Sequence, residues 1–141
     1  MLSLTCKASI KAMIYLSSKT EAEKKPSVIE IAEFINENEH TVGKLLQKLV
    51  KKKIINSSKG PNGGFYITET QKNQQLINII YAIDGNDVFE QCGLGLRKCN
   101  DTRPCPFHND FKPVRELFRK VCIEKHISDL SENMVYSTFK C

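Results

Sequence analysis

The stretch TVGKLLQKLVKKKIINSSKGPNGGFYIT, residues 41–68, decides how this chain is to be read. Its first half places Val42, Leu45, Leu46, Leu49 and Val50 at i, i+3, i+4, i+7 and i+8, one apolar stripe of a helix. Thr41, Lys44, Lys48 and Lys51 recur at helical steps on another side, so the same helix carries a polar, basic stripe. The second half sets two short β-prone runs around a loop rich in Gly and Pro, with an Asn62-Gly63 step that signals a hairpin. A basic helix followed directly by a hairpin describes a recognition helix and its wing.

Working outward, the residues upstream supply the other half of a helix-turn-helix. Pro26 and the pattern Ser27-x-x-Glu30 predict a capped helix start, and Val28, Ile31, Ala32 and Ile35 give that helix an apolar face. Residues 36–39 break the periodicity and read as a short turn. The helix after the turn would enter the major groove. Lys44 and Lys48 are its candidate groove contacts. His40 and Thr41 are candidates for base edges, with capping the expected role of one of them. In the wing, Lys59 and Asn62 are candidates for a phosphate or the minor groove.

Farther out, MLSLTCKASIKAMIYLSS at residues 1–18 is interrupted by Lys7 and Lys11, and Ile10, Met13 and Ile14 follow helical spacing. It reads as an amphipathic first helix and not an export signal. Asn73 is the predicted cap of a fourth helix carrying Leu76, Ile77, Ile79, Ile80 and Ile83, which stops near Asp84-Gly85. After Pro113, Val114, Leu117, Phe118, Val121 and Cys122 predict a final long helix. Its stripe exceeds what a small winged domain needs and suggests a dimer surface; packing on the chain's own first helix is the alternative.

The charge is lopsided. The chain's net +5 lies wholly in residues 1–72, where 12 lysines face 7 acidic residues; residues 73–141 balance 9 against 9. Such a local excess attracts a polyanion, because neutralising phosphates releases counterions. A solvated lysine face is the plainer reading of the same run. No apolar run is long enough for a membrane span, and no paired acid and base or partnered nucleophile points to catalysis.

The remaining chemistry is a cluster of soft ligands. Cys92, Cys99, Cys105 and His108 are spaced C-x6-C-x5-C-x2-H, among Gly93, Gly95, Pro104 and Pro106. Thiolate and imidazole suit iron–sulfur clusters and zinc. The wide gaps favour a cluster, two-iron or four-iron, because zinc sites usually close with tighter Cys pairs. Zinc, and thiols without metal, remain the alternatives. Cys122 falls on an apolar stripe and reads as core; Cys6 and Cys141 stand outside the cluster.

With wing and cysteine loop both in view, the chain resembles the Rrf2 family of bacterial winged-helix regulators. It is most similar to the cluster-binding branch, iron–sulfur biogenesis regulators and nitric-oxide-sensing repressors among them. The resemblance runs over nearly the whole chain. Lys59-Gly60-Pro61-Asn62-Gly63-Gly64 matches the family's basic-Gly-x-x-Gly-Gly wing, and Cys92, Cys99 and Cys105 match its three cluster cysteines. His108 stands where the biogenesis regulators have a histidine ligand. The first Cys gap is one residue longer than usual. Some nitric-oxide-sensing relatives use a carboxylate from the partner's first helix, where this chain has Lys7 beside Cys6. His108 is therefore the expected fourth ligand and a cross-subunit Cys6 the alternative. Gly43 replaces a glutamate that tunes base preference, so the relatives' operator does not carry over.

The expectation is a mainly α protein with a small β-hairpin wing. Residues 1–84 form a winged helix-turn-helix, 85–109 a Cys-rich loop, and 110–141 a dimerisation helix with a C-terminal segment. Its expected function is that of a cytoplasmic, homodimeric, non-enzymatic regulator that binds a palindromic double-stranded DNA operator under control of an iron–sulfur cluster. A structural zinc and a small electron-transfer protein are the rivals.

Overall fold

Helix α1 (Leu4–Ser17) starts where the Ser3 side chain accepts a hydrogen bond from the Cys6 N–H. The computed structural model describes residues 1–96, 100–134 and 139. The expected apolar face of α1 is only partly right. Met13 is fully buried, but Ile10 and Ile14 are half-buried, while Cys6, Ala8, Ser9, Ala12, Tyr15 and Leu16 are all buried. A helix covered on most of its circumference is a central strut, not a surface amphipath. Helices α2 (Val28–Ile35), α3 (Glu39–Lys51), α5 (Leu76–Asp84) and α7 (Ile127–Glu132) all pack around it.

The reading unit forms as its pattern requires. Ser27 Oγ accepts from the Glu30 N–H, and α2 ends at Asn36 in the left-handed conformation (φ 57°, ψ 50°). That conformation suits a short polar side chain at a helix terminus. In α3 Val42, Leu45, Leu46 and Leu49 are buried, and Thr41, Lys44, Lys48 and Lys51 are exposed. Each buried leucine contributes on the order of 1.5–3 kcal/mol relative to exposure, so the stripe fixes the helix's rotation. Strands β1 (Asn56–Ser58) and β2 (Gly64–Tyr66) then pair antiparallel, with Asn56 opposite Tyr66 and Ser58 opposite Gly64.

Asn73 does not cap the next long helix. A short helix α4 (Glu69–Lys72) intervenes, started by a capping box in which Thr68 and Gln71 exchange hydrogen bonds, and Asn73 lies at its C-terminal end. Helix α5 follows from Leu76, with Leu76, Ile77, Ile79 and Ile80 buried. Its last residue, Asp84, accepts hydrogen bonds from both the N–H and the hydroxyl of Ser3, tying α5 to the start of α1.

A 3₁₀ turn (Asn86–Phe89) leads into the cysteine segment, and α6 (His108–Glu124) follows. Helix α6 begins before Pro113, which lies inside it, and not after it as the sequence suggested. Pro113 lacks the N–H that would reach the Asn109 carbonyl. Both residues are exposed, so that carbonyl is left at the surface, where water satisfies it. The corner between α6 and α7 is stitched to the corner between α4 and α5. Leu76 N–H donates to Lys125 O at 2.8 Å, and Ile127 N–H to Gln74 O at 3.1 Å. The C-terminal element covering α1 is thus α7, not the long helix. Among the described residues no helix is long and apolar enough to cross a membrane.

Candidate nucleic-acid interface and metal centre

The outer face of α3 presents His40, Thr41, Lys44 and Lys48 to solvent. Neither His40 nor Thr41 caps the helix. Asn38 does, its Oδ1 accepting from the N–H groups of His40 (2.9 Å) and Thr41 (3.2 Å). Asn38 thereby satisfies two of the N–H groups that every helix start leaves without a partner, and the His40 and Thr41 side chains are not consumed in capping. Lys48 Nζ lies 3.4 Å from the Ile83 carbonyl, so this lysine touches the end of α5 as well as the open face.

The wing is shaped by its glycines. Gly63 N–H donates to Gly60 O at 2.9 Å, closing the tip, and Lys59 and Asn62 are exposed there. Gly64 has φ +152°, and a Cβ on it would stand 2.6 Å from the Lys25 carbonyl oxygen and 2.7 Å from that of Pro26. Beside it, Phe65 N–H donates to Pro26 O at 3.0 Å, and the Lys25 ammonium sits 4.6 Å from the centre of the Tyr66 ring. The hairpin therefore leans directly on the backbone that enters α2. Only a residue without a side chain permits that approach.

At the second site the Cys92 and Cys105 sulfurs lie 3.3 Å apart, and the Leu94 N–H points at Cys92 Sγ (3.4 Å). Gly93 lies against the stacked rings of Phe107 and Phe111; a Cβ there would fall 2.7 Å from Phe111 Cγ. His108, the first residue of α6, is buried. Its Nε2 is 2.8 Å from Asp101 Oδ1, and Lys112 Nζ reaches the same carboxylate at 2.8 and 3.1 Å. The Lys112 ammonium and then His108 hold the Asp101 carboxyl below the usual carboxylate range. Cys99 and Cys141 lie outside the described residues. Among the described residues no three His, Cys, Asp or Glu side chains converge closely enough to hold a metal ion. The structure brings Cys92 and Cys105 together and sets His108 against Asp101.

Cys6 and Cys122 are fully buried. Burial, aided by the Asp84 carboxylate, pushes the Cys6 thiol up to about 12, and burial pushes Cys122 up to about 11. Burial thus disfavours the thiolate at both positions.

Sequence reasoning passed over Arg115. It is 4% exposed, on the inner face of α6 in line with Phe111, Phe118 and Cys122. Its Nη1 donates to the Gln91 carbonyl at 2.9 Å, and its Nε–H is buried with no partner among the described residues. The signal was available, because an arginine at a core position of a helical stripe is almost always there for a reason.

Comparison with known proteins gives the family. The family model Rrf2, described as an iron-dependent transcriptional regulator, matches residues 2–133. No curated protein matches the chain by sequence. Among solved structures the fold is similar to the global cysteine regulator CymR of B. subtilis, at 19% identity and TM-score 0.75 over 96% of this chain and 98% of that one. It is also similar to Staphylococcus aureus CymR, at 20% identity and TM-score 0.72 over 94% and 99% of the two chains. T. potens IscR matches at 17% identity and TM-score 0.71 over 98% and 90%. Such identities speak for the fold alone. With a helix-turn-helix, a Gly-shaped wing and a family match over almost its full length, the chain belongs to the Rrf2 family of transcription regulators, which are not enzymes.

Proposed function

We propose that the protein is a cytoplasmic homodimer that binds a palindromic operator with an affinity set by an iron–sulfur cluster on Cys92, Cys99, Cys105 and His108. The observation that carries this reading is the contact of the Cys92 and Cys105 sulfurs at the foot of α6. The residues present fit such a group. Two thiols converge, and the hydrogen bond from His108 to Asp101 is of the kind that orients a ligating imidazole. The orphaned Nε–H of Arg115 adds a buried donor behind Cys92. When bound, the cluster supplies iron that responds to redox state, nitric oxide or iron supply.

The rest is done by the chain's own residues. Residues 1–84 read DNA, with His40, Thr41, Lys44 and Lys48 facing the major groove and Lys59 and Asn62 at the wing. Residues 85–109 hold the centre. Residues 110–141 join two copies through Val114, Leu117 and Val121, which are 53%, 63% and 43% exposed on one side of α6. Because His108 opens α6, ordering the loop biases the helix that spaces the two reading heads. A ligand shifts such an equilibrium only by its differential affinity for the two states.

The same sulfur contact favours a second reading without metal, in which Cys92 and Cys105 close to a disulfide, giving two protons and two electrons to an oxidant. One experiment separates the readings. Protein purified without oxygen is assayed for visible absorption, iron, sulfide and zinc, and then for operator binding before and after the centre is removed. Iron and sulfide in similar amounts, with DNA affinity that changes on their removal, is the expected result. A colourless protein with zinc makes the loop structural. A metal-free protein whose DNA affinity follows thiol oxidation establishes the second reading.

The DNA half has its own test. Lys59→Ala should weaken binding to specific and random duplexes alike and reduce the slope of log K against log salt by about 1, as for one lost phosphate contact. An unchanged slope removes Lys59 from the interface.

A further inference from the structure

Arg115 is buried, and its ion pair among the described residues is a long one to a half-exposed carboxylate. A guanidinium stays charged at every physiological pH, and a charge taken out of water is costly unless paired. Its hydrogen-bond partner, the Gln91 carbonyl, is neutral. The carboxylate paired with it, Glu116, lies 3.9 Å from Nη2 with a side chain 52% exposed, so solvent screens most of that attraction. Among the described residues the Nε–H has no partner, and a buried donor left alone in a folded protein calls for an explanation. Asp101, a carboxylate of the cysteine segment, is already shared by His108 and Lys112.

The position of this cation supplies the explanation. The carbonyl it holds belongs to Gln91, so the guanidinium is hydrogen-bonded to the peptide group that leads into Cys92. Cysteines bind a metal or cluster as thiolates, so filling the site adds negative charge at this point. We propose that Arg115 is the charge partner of the cysteine centre, a positioning residue whose buried guanidinium is neutralised when an anionic thiolate-bound group forms at Cys92 and Cys105. The proposal rests on the cluster reading above and deepens it. Coupling of this kind is reciprocal: the filled centre stabilises Arg115 in its slot, and Arg115 retains the centre. Arg115 is also carried by the helix that exposes Val114 and Leu117 on its other side. Occupancy is therefore felt by the proposed dimer face through one side chain.

The test compares wild type with Arg115→Gln, which keeps an amide donor for Gln91 but no charge, and Arg115→Lys, which keeps the charge. All are purified without oxygen. The readouts are the rate of cluster loss to a chelator, followed by visible absorption, and the Tm of each apoprotein. Arg115→Gln should lose its cluster about 10–100-fold faster, in the range usual for second-layer partners of metal ligands. Arg115→Lys should stay within a few-fold of wild type, and the apoprotein with Gln should melt no lower than wild type. Equal loss from wild type and Arg115→Gln overturns the proposal. So does equal loss from the Gln and Lys variants, or a lowered apoprotein Tm in both with no ordering by charge. Wild-type protein lacking iron and sulfide overturns the cluster reading instead. Zinc retention by the same three proteins then decides the charge partnership, with the same order expected and any other order overturning it.

Discussion

Cys105→Ala should abolish the visible absorption and the iron content of protein purified without oxygen, and should leave the fold in place. Both halves follow from where the side chain sits. Cys105 is half-buried beside Cys92 and stands outside the apolar cluster built from α1, α2, α3, α5 and α7. Removing its sulfur leaves no large cavity among the core leucines and isoleucines, so stability should fall by no more than about 1 kcal/mol. The centre fares differently. Thiolates at fixed separation are what the loop offers, and with one of the converging pair gone the remaining ligands cannot enclose a cluster. Iron analysis, visible spectra and thermal melts on the same sample check the claim. Wild-type absorption in the variant removes Cys105 from the ligand set, and a collapse of the melt makes it a folding residue.

A larger loss of stability is expected from Gly64→Ala. The alanine Cβ would stand 2.6 and 2.7 Å from two carbonyl oxygens, both backbone, neither able to swing aside. The backbone at φ +152° is itself a conformation that side chains rarely accept, costing on the order of 1–3 kcal/mol. Forcing the Lys25-Pro26 segment away adds an overpacking cost of about 1–3 kcal/mol. The sum, roughly 2–6 kcal/mol, is a large fraction of a small domain's stability. Because that segment leads into α2, DNA affinity should fall for every sequence as the wing and the reading helices lose their mutual alignment. Gly60→Ala is the control. It too has positive φ, +100°, but nothing lies within 4 Å of its added Cβ, so only the backbone cost applies. Denaturant unfolding of the two variants separates strain from collision, and equal stabilities refute the argument.

The glycine pair of the wing was legible in the sequence as a hairpin, but not as a docking point. Hairpin signals are local, whereas the contact with Lys25 and Pro26 joins segments almost forty positions apart. The same division runs through the fold. The stripe of Val42, Leu45, Leu46 and Leu49 gave α3 and its exposed basic face correctly, because burial at helical spacing leaves a direct imprint. Pro113 misled, because it was read as preceding the helix start, whereas α6 begins at His108 and runs through it with the Asn109 carbonyl left at the surface. Asn73 misled because Thr68-x-x-Gln71, a capping box in plain sight, starts a helix one turn earlier. His40 and Thr41 were credited with a capping role that belongs to Asn38, a residue placed inside the turn. At the cysteine centre the spacing pointed to the segment, and Cys92 and Cys105 do meet. Arg115 and Asp101 stayed hidden, because nothing in a spacing rule says which charges a loop will face once it is folded.

The order in which the chain is made adds a consequence of its core arrangement. Helix α1 is synthesised long before α7, which covers it, with Ser17 and Ser131 in hydrogen-bond contact across 114 positions. A nascent chain can form the reading helices and the wing early, yet Met13 and Leu16 have no complete cover until the segment Ile127–Glu132 has emerged. Such long-range closure slows folding relative to bundles built from neighbouring helices, and leaves apolar surface open to chaperones while translation proceeds. Closure of the core around α1 is therefore gated by the emergence of Ile127–Glu132, and a ribosome stalled within α6 releases a product whose first helix still lacks the cover that α7 provides.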